Sequence, residues 1–203
     1  MVRLLRGNAA FLRDATDHLM ALGVGTVYSP PLYRSSAAVW RAGGYEERHR
    51  LHIMERSLGL PSEPARIAMT TTVDPVWEQV LAIDKDAFEG MWRMSETGLR
   101  EALHSTRVAA VLLAGDRAQP DGYALVGTQW GVSYLHRIAV DSGQRGRGIG
   151  SELVRAAIGW ARKTLSTVMV LNVRPSNHDA RRLYEREGFT ATGTDLHLLG
   201  YGA

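Results

Sequence analysis

Cysteine is absent from all 203 residues. Without a thiol there are no disulfide staples, no thiolate metal site and no cysteine nucleophile, so any group-transfer chemistry must run through other side chains. Long apolar runs are missing as well, and nothing approaches the roughly 20 residues that a membrane helix needs. The first 20 residues interleave Arg3, Arg6, Arg13, Asp14 and Asp17 among their apolar positions. Neither a secretory leader nor a spanning segment is expected there. An excess of one charge is lacking: the formal net charge is +3, and the basic residues are scattered apart from the pairs Arg145/Arg147 and Arg181/Arg182. A nucleic-acid-binding stripe would be denser. Neither nucleic acid nor a membrane is expected as a partner, no metal site is expected, and residence in the cytoplasm is compatible. At 45% hydrophobic, the chain can bury one sizeable core, or one domain and part of a second.

What the chain does contain is a glycine-rich turn, Arg145-Gly146-Arg147-Gly148-Ile149-Gly150, between an apolar run ending at Val140 and a helix-like segment beginning near Ile149. A helix N-terminus leaves backbone N–H groups unpaired and carries partial positive charge, and glycines let a phosphate approach without meeting a Cβ. The turn is not a nucleotide-hydrolysing P-loop, because Gly150 is followed by Ser151 and Glu152 rather than by lysine and a hydroxyl residue. A dinucleotide fingerprint would place glycine at Ser151 and an acid about 20 positions on. The chain there reads Thr164 to Leu171, without a carboxylate. A turn that binds nothing is the other alternative. Arg145 and Arg147 would face a phosphate, while Arg181 and Arg182 read as a solvated helix face.

Downstream, Val168 to Val173 reads as a buried strand, followed by a helix that Asn177 can cap and that Gly188 ends, with Ala180, Leu183 and Tyr184 on one face. Together, Arg145-x-x-Gly148-x-Gly150 and, 27 residues after Gly150, Asn177-x-x-Ala180-x-x-Leu183-Tyr184-x-x-x-Gly188-Phe189 resemble the GNAT superfamily of acetyl-CoA-dependent N-acetyltransferases. Within it, the motif is most similar to ribosomal-protein alanine N-acetyltransferases. The resemblance covers about Arg66 to Tyr201. It implies an α/β (α+β) fold, a mixed, mostly antiparallel central sheet flanked by helices. Arg66 to Thr72 would be the first strand, Val76 to Phe88 and Ser95 to Leu103 two helices, and Arg107 to Ala114, Tyr123 to Trp130 and Ser133 to Val140 a meander.

The resemblance also implies acetyl transfer from acetyl-CoA to a primary amine by direct attack in a ternary complex. The acceptor would be a protein N-terminus, a lysine or a small molecule; a non-catalytic acyl-CoA-binding sensor or scaffold is the alternative. Backbone amides of Arg145, Gly146, Arg147, Gly148, Ile149, Gly150 and Ser151 would hold the pyrophosphate. Ile138, Ala139 and Val140 would flank the pantetheine arm, with Asn172, Asn177, Ala180 and Tyr184 completing the cofactor contacts. Tyr184 matches the family tyrosine that protonates the departing thiolate, and an aromatic core contact is the competing reading. The general base is open, because the alanine-acetyltransferase branch has a glutamate twelve residues before that tyrosine and here the position is Asn172. An amide cannot accept a proton from an ammonium. His136 is the replacement chosen, with Tyr134, Glu89, Glu96 and a base acting through water as further options.

The region before Arg66 repeats the later pattern at a constant offset of 144 residues: Gly44-Tyr45 falls under Gly188-Phe189, Trp40 under Tyr184 and Pro31 under Pro175. Asn8 to Leu22 reads as an amphipathic helix, Val24 to Tyr28 as a strand, Ser35 to Arg41 as a short helix and His49 to Arg56 as a strand. Residues 1–57 are therefore expected to form a partial GNAT-like half-repeat, 58–65 a Pro/Gly-containing linker, and 66–203 a complete acetyltransferase domain. A half-fold cannot bury its own face, so it must pack on the complete domain or form a homodimer with another copy. It lacks the glycine-rich turn, so one cofactor site is expected.

Overall fold

A computed structural model describes residues 8–202. The expectations resting on Arg3 and Arg6 lie outside the described residues. The chain divides into two compact units. One holds residues up to Ile53 with Asn172–His178 and the stretch from Ala191 onward; the other holds Met54–Leu171 and Asp179–Thr190.

In the first unit, helix α1 (Ala9–Ala21) leads to strand β1 (Thr26–Tyr28), helix α2 (Ala38–Ala42) and strand β2 (Glu46–Ser57). The closing strand β8 (Thr190–Gly202) pairs antiparallel with β1, Thr26 opposite Gly202. The strand order is β1–β8–β2. Leu12, Val27, Trp40, Tyr45 and Leu199 make the core. The β2 strand begins three residues earlier than the expected His49, in a charged run that hides it from a hydrophobic pattern. Its outward carboxylates and bases pair instead with β8, Glu47 with His197 at 2.8 Å and Arg50 with Asp195 at 3.8 Å.

The second unit contains β3 (Met69–Thr72), α3 (Trp77–Ala87), α4 (Glu96–Leu103), β4 (Val108–Gly115), β5 (Pro120–Gln129), β6 (Val132–Val140), α5 (Ile149–Lys163) and most of β7 (Val168–Val173) and of α6 (His178–Arg186). Strands β3 to β6 form an antiparallel meander, and β6 pairs parallel with β7, in the order β7–β6–β5–β4–β3. The mixed, mostly antiparallel sheet flanked by helices is thus present. Consecutive β5 residues point to opposite faces. Tyr123 and Leu125 join Val80, Ile83, Leu99 and Leu103 under α3 and α4, whereas a Cβ on Gly122 would lie 3.1 Å from Leu153 of α5. Helix α5 buries Ile149, Leu153, Val154, Ala157, Ile158 and Ala161, a helical period whose larger side chains each contribute about 1.5–3 kcal/mol by leaving water.

The expected linker is irregular but fastened. Leu58 is buried and its N–H donates to the Thr167 carbonyl at 2.9 Å. Arg56 donates to the carbonyls of Ser57, Pro61 and Glu187, and Arg162 to that of Leu58. The first strand of the meander starts at Met69 rather than Arg66, and the Arg66 N–H donates to the Glu152 carboxylate.

Local structure repeats along with the sequence pattern. Helix α2 ends with Gly44 at φ +92° and α6 with Gly188 at φ +85°. In one, Gly44 N–H donates to Arg41 O and Tyr45 N–H to Trp40 O; in the other, Gly188 N–H donates to Glu185 O and Phe189 N–H to Tyr184 O, all at 3.0–3.1 Å. These are the bonds of a left-handed C-terminal stop. The aromatic pairs sit alike, Trp40 against Tyr45 at 4.9 Å and Tyr184 against Phe189 at 5.9 Å.

Candidate functional site

Strand β6 leaves the sheet through a 3-10 turn, Ser142–Gln144, in which the Asp141 side chain accepts from Gly143 N–H at 2.9 Å. Gly146 and Gly148 then adopt φ +78° and +82°, a region closed to most side chains, and the next residue opens α5. No heavy atom would lie within 4 Å of a Cβ on either glycine, so an anion has room to reach the backbone. Gly148, the N-cap of α5, supplies no side-chain hydrogen bond to the helix end. The N–H groups of the first turn are therefore left to a ligand or water. Gly150 acts differently: a Cβ there would lie 2.9 Å from Leu183 Cδ1, so it permits α5 to approach α6.

The two arginines of the turn are engaged within the protein. Arg145 donates to Asp86 Oδ2 at 3.1 Å and to the Val140 carbonyl at 3.3 Å, bracing the turn against α3. Arg147 donates to Gln144 Oε1 at 3.0 Å. Anion contact in this geometry falls to backbone amides more than to guanidinium groups.

The parallel ladder between β6 and β7 runs from Val132 opposite Val168 to Tyr134 opposite Val170. From Leu135 to Val140, β6 keeps its pairing with β5 but has left the β7 ladder, with Ile138 opposite Ala124, Ala139 opposite Tyr123 and Val140 opposite Gly122. That leaves an edge along which an extended ligand can lie like an added strand. The β5–β6 register slips between Leu125 and Val126, whose partners are Arg137 and Leu135, so His136 is the unpaired residue of a bulge.

His136 stacks on Tyr134 with ring centroids 5.8 Å apart, and its buried Nε2 has no hydrogen-bond partner among the described residues. Burial penalises the imidazolium and pulls its pKa down to about 4. Tyr184 lies on α6, 6% exposed. Burial raises its phenol well above the usual tyrosine range, so it stays protonated at every physiological pH. Ala180 and Ser151 are part-buried on α6 and α5. Asn172 and Asn177 belong to the other unit: Asn172 is exposed near the end of β7, and Asn177, whose N–H donates to the Arg174 carbonyl at 3.0 Å, immediately precedes α6.

A second constellation lies under the helical side of β6. Asp84, fully buried on α3, accepts from Arg137 Nε and Nη2 at 2.7 and 2.9 Å, from Tyr123 Oη at 2.6 Å and from Met94 N–H at 3.1 Å. The Arg137 guanidinium also donates to the Trp92 carbonyl at 2.7 Å and sits 3.5 Å above the Phe88 ring. The network ties the segment Phe88–Met94 to β6.

A profile of the acetyltransferase (GNAT) family matches residues 77–189, more than half of the chain. The chain belongs to the GNAT acetyltransferase family. Mycothiol acetyltransferase of Geodermatophilus obscurus is 26% identical over 185 residues, covering 79% of this chain and 58% of that protein. An uncharacterized N-acetyltransferase of Methanocaldococcus jannaschii is 41% identical over 58 residues, 29% of this chain and 26% of its own length. The chain thus spans less than two thirds of the length of these curated relatives. Among solved structures, a tandem GNAT protein from the clavulanic acid biosynthesis pathway superposes with a TM-score of 0.65 at 16% identity, covering 98% of this chain and 71% of that one. The ribosomal-protein-S18-alanine N-acetyltransferase of Escherichia coli gives 0.54 at 20% identity, with 66% and 92% covered. At such identities the likeness is one of fold.

For this GNAT chain, Gly146, Gly148, Ile149 and Gly150 fall with Tyr184 in one compact unit, through the α5–α6 packing that Gly150 allows. Sequence reasoning missed the Asp84–Arg137 pair. The signal was present: Asp84 occupies a position on α3 otherwise reserved for Trp77, Val80 and Ile83, and an acid on an apolar helix face implies a buried partner.

Proposed function

We propose that this chain moves an acetyl group from acetyl-CoA to a primary amine, whether a protein N-terminus, a lysine or a small-molecule amine. The observation that carries the reading is the turn at Gly146 and Gly148, open to an anion and feeding a helix end with no side-chain cap. The names of both curated relatives as acetyltransferases support acetyl as the transferred group. Acetyl-CoA supplies an activated thioester, which the acceptor nitrogen attacks directly; the chain has no cysteine to carry the acyl group.

Backbone amides from Arg145 to Ser151 would hold the pyrophosphate. The free edge of Ile138, Ala139 and Val140 would align the pantetheine arm. Tyr184, held neutral by burial, would donate a hydrogen bond to the departing sulfur. Its raised pKa makes full proton transfer to a thiolate uphill, so its contribution is charge stabilisation before proton delivery.

His136 is a weak base in this setting. With a pKa of about 4 it lies some six units below an alkylammonium at about 10.4. An amine that loses its proton to water before attack is the better-supported route. The same observation, with an amide at Asn172, is what favours the second reading, an acyl-CoA-binding sensor without turnover.

Thiol release from acetyl-CoA, assayed over a panel of amine acceptors, tests both. Turnover on any amine supports the transferase; tight cofactor binding with no turnover on any acceptor selects the sensor.

A further inference from the structure

Two large apolar residues stand in backbone conformations that suit glycine. Trp130 has φ +53° and Leu165 φ +60°. Trp130 and Gly131 are the two central residues of the β5–β6 hairpin, closed by Gln129 opposite Val132, and both have positive φ as a type I′ turn requires. Asparagine is the usual first residue of such a turn. Leu165 follows the α5 C-cap, Thr164, where helices commonly place glycine. Each position therefore carries backbone strain, and neither side chain gains burial in exchange: Trp130 is 92% and Leu165 88% exposed. The loops adjoin, because Thr167 N–H donates to the Gly131 carbonyl at 2.9 Å.

The same end of the sheet presents more apolar surface. Val108, opposite Thr128 at the start of β4, is 49% exposed, and Leu60, whose carbonyl accepts from Arg162, is 50% exposed. Exposed Arg107 and Lys163 flank these groups. The patch sits at the N-terminal end of β6 and the glycine-rich turn at its C-terminal end. Nine residues of strand separate them, roughly 25–30 Å, so occupation of one leaves the other free.

We infer that this end of the molecule docks on an anionic lipid surface, with Trp130 and Leu165 entering the interfacial layer and Arg107 and Lys163 facing the headgroups. Strain retained at two adjoining positions points to a use outside the folded chain. The shape selects the occupant. Two nearly fully exposed side chains offer far less than the roughly 800 Å² per partner of a stable protein interface, whereas a lipid layer needs no complementary pocket. Tryptophan favours the membrane–water boundary, and nearby cations add attraction to anionic lipid. The expectation that no membrane partner exists rested on the lack of a spanning segment, which has no bearing on surface contact.

The test is sedimentation of the full chain with phosphatidylcholine vesicles, with and without a phosphatidylglycerol fraction, at low and high salt. Binding should require the anionic lipid and weaken with salt. A Trp130→Gly/Leu165→Gly variant should partition at least about tenfold more weakly, yet melt no lower than the parent, because glycine relieves both strained positions. A paired Arg107→Glu/Lys163→Glu variant should lose the preference for anionic lipid. Failure of the parent chain to sediment, or undiminished sedimentation of the glycine variant, overturns the proposal. Concentration-dependent self-association abolished by the glycine substitutions overturns it too, and assigns the patch to a second copy.

Discussion

At the scale of single residues, Tyr184 and Gly148 carry the sharpest expectations. Tyr184→Phe keeps the ring against Phe189 and removes the donor, so kcat should fall about a hundredfold with cofactor affinity nearly unchanged. Steady-state kinetics and calorimetry on the same sample separate the two, and a full rate in the variant across pH would remove the proposed acid. Gly148→Glu forces a side chain into a left-handed position, costing about 1–2 kcal/mol, and adds negative charge beside the anion site. Cofactor binding measured by calorimetry should drop by at least tenfold; unchanged affinity would displace the pyrophosphate from this turn. His136 gives a pH signature. Its folded pKa of about 4 lies below the ordinary 6.5, so the unfolded chain binds the extra proton first. The associated stability is complete above pH 6.5 and is lost as pH falls through 4, on the order of 3 kcal/mol in all. His136→Phe should flatten that part of the stability–pH curve, as denaturant titrations at pH 7 and pH 4.5 would report.

At the scale of elements, the Asp84–Arg137 pair joins α3 to β6 and holds the Phe88–Met94 segment between them. Asp84→Asn should destabilise the fold by about 3 kcal/mol, because it leaves a part-buried guanidinium without its counter-charge. The combined Asp84→Leu/Arg137→Met variant should cost less than the sum of the single changes, and chemical denaturation of all three variants measures the coupling. The helices on either side of this segment were legible in the sequence almost to the residue: Val76 to Phe88 was expected and Trp77–Ala87 is found, Ser95 to Leu103 was expected and Glu96–Leu103 is found. Those bounds came from the family resemblance, and the Ser95 side chain, which accepts from Gly98 N–H at 3.1 Å, fixes where the second helix starts. The β5–β6 bulge at His136 left no such mark, since a register slip is settled between strands and not along one.

At the scale of the whole molecule, the two ends of the chain share a unit, with β1 laid on β8 and Trp40, Tyr45 and Leu199 in a common core. Deleting residues 1–57 would bare that face of β8. The shortened chain should lose soluble yield and cooperative melting, and a truncated protein that melts as a single sharp transition would show that the N-terminal segment is dispensable. The starts of α1 and α5 also differ. Helix α1 is capped by its own Asn8, whose side chain accepts from Phe11 N–H at 3.0 Å, whereas α5 begins at Gly148 with no side-chain cap. One cofactor per chain is the expected calorimetric stoichiometry. A homodimer through the N-terminal segment is a further proposal, which light scattering against concentration decides.

The sequence by itself determined what depends on neighbours along the chain: the glycine-rich turn, the Asn177 start and Gly188 stop of α6, and the spacing from Gly150 through Asn177 to Gly188-Phe189 that marks the family. Tertiary structure alone decided what depends on residues brought together from afar. It turned Arg145 onto Asp86, gave Gly150 a packing role against Leu183, lowered the His136 pKa by burial and joined the Gly131 turn to the loop after α5 through the Thr167 N–H. Each of these is a matter of burial or of a partner many residues away, and desolvation and partner choice leave no period in a sequence.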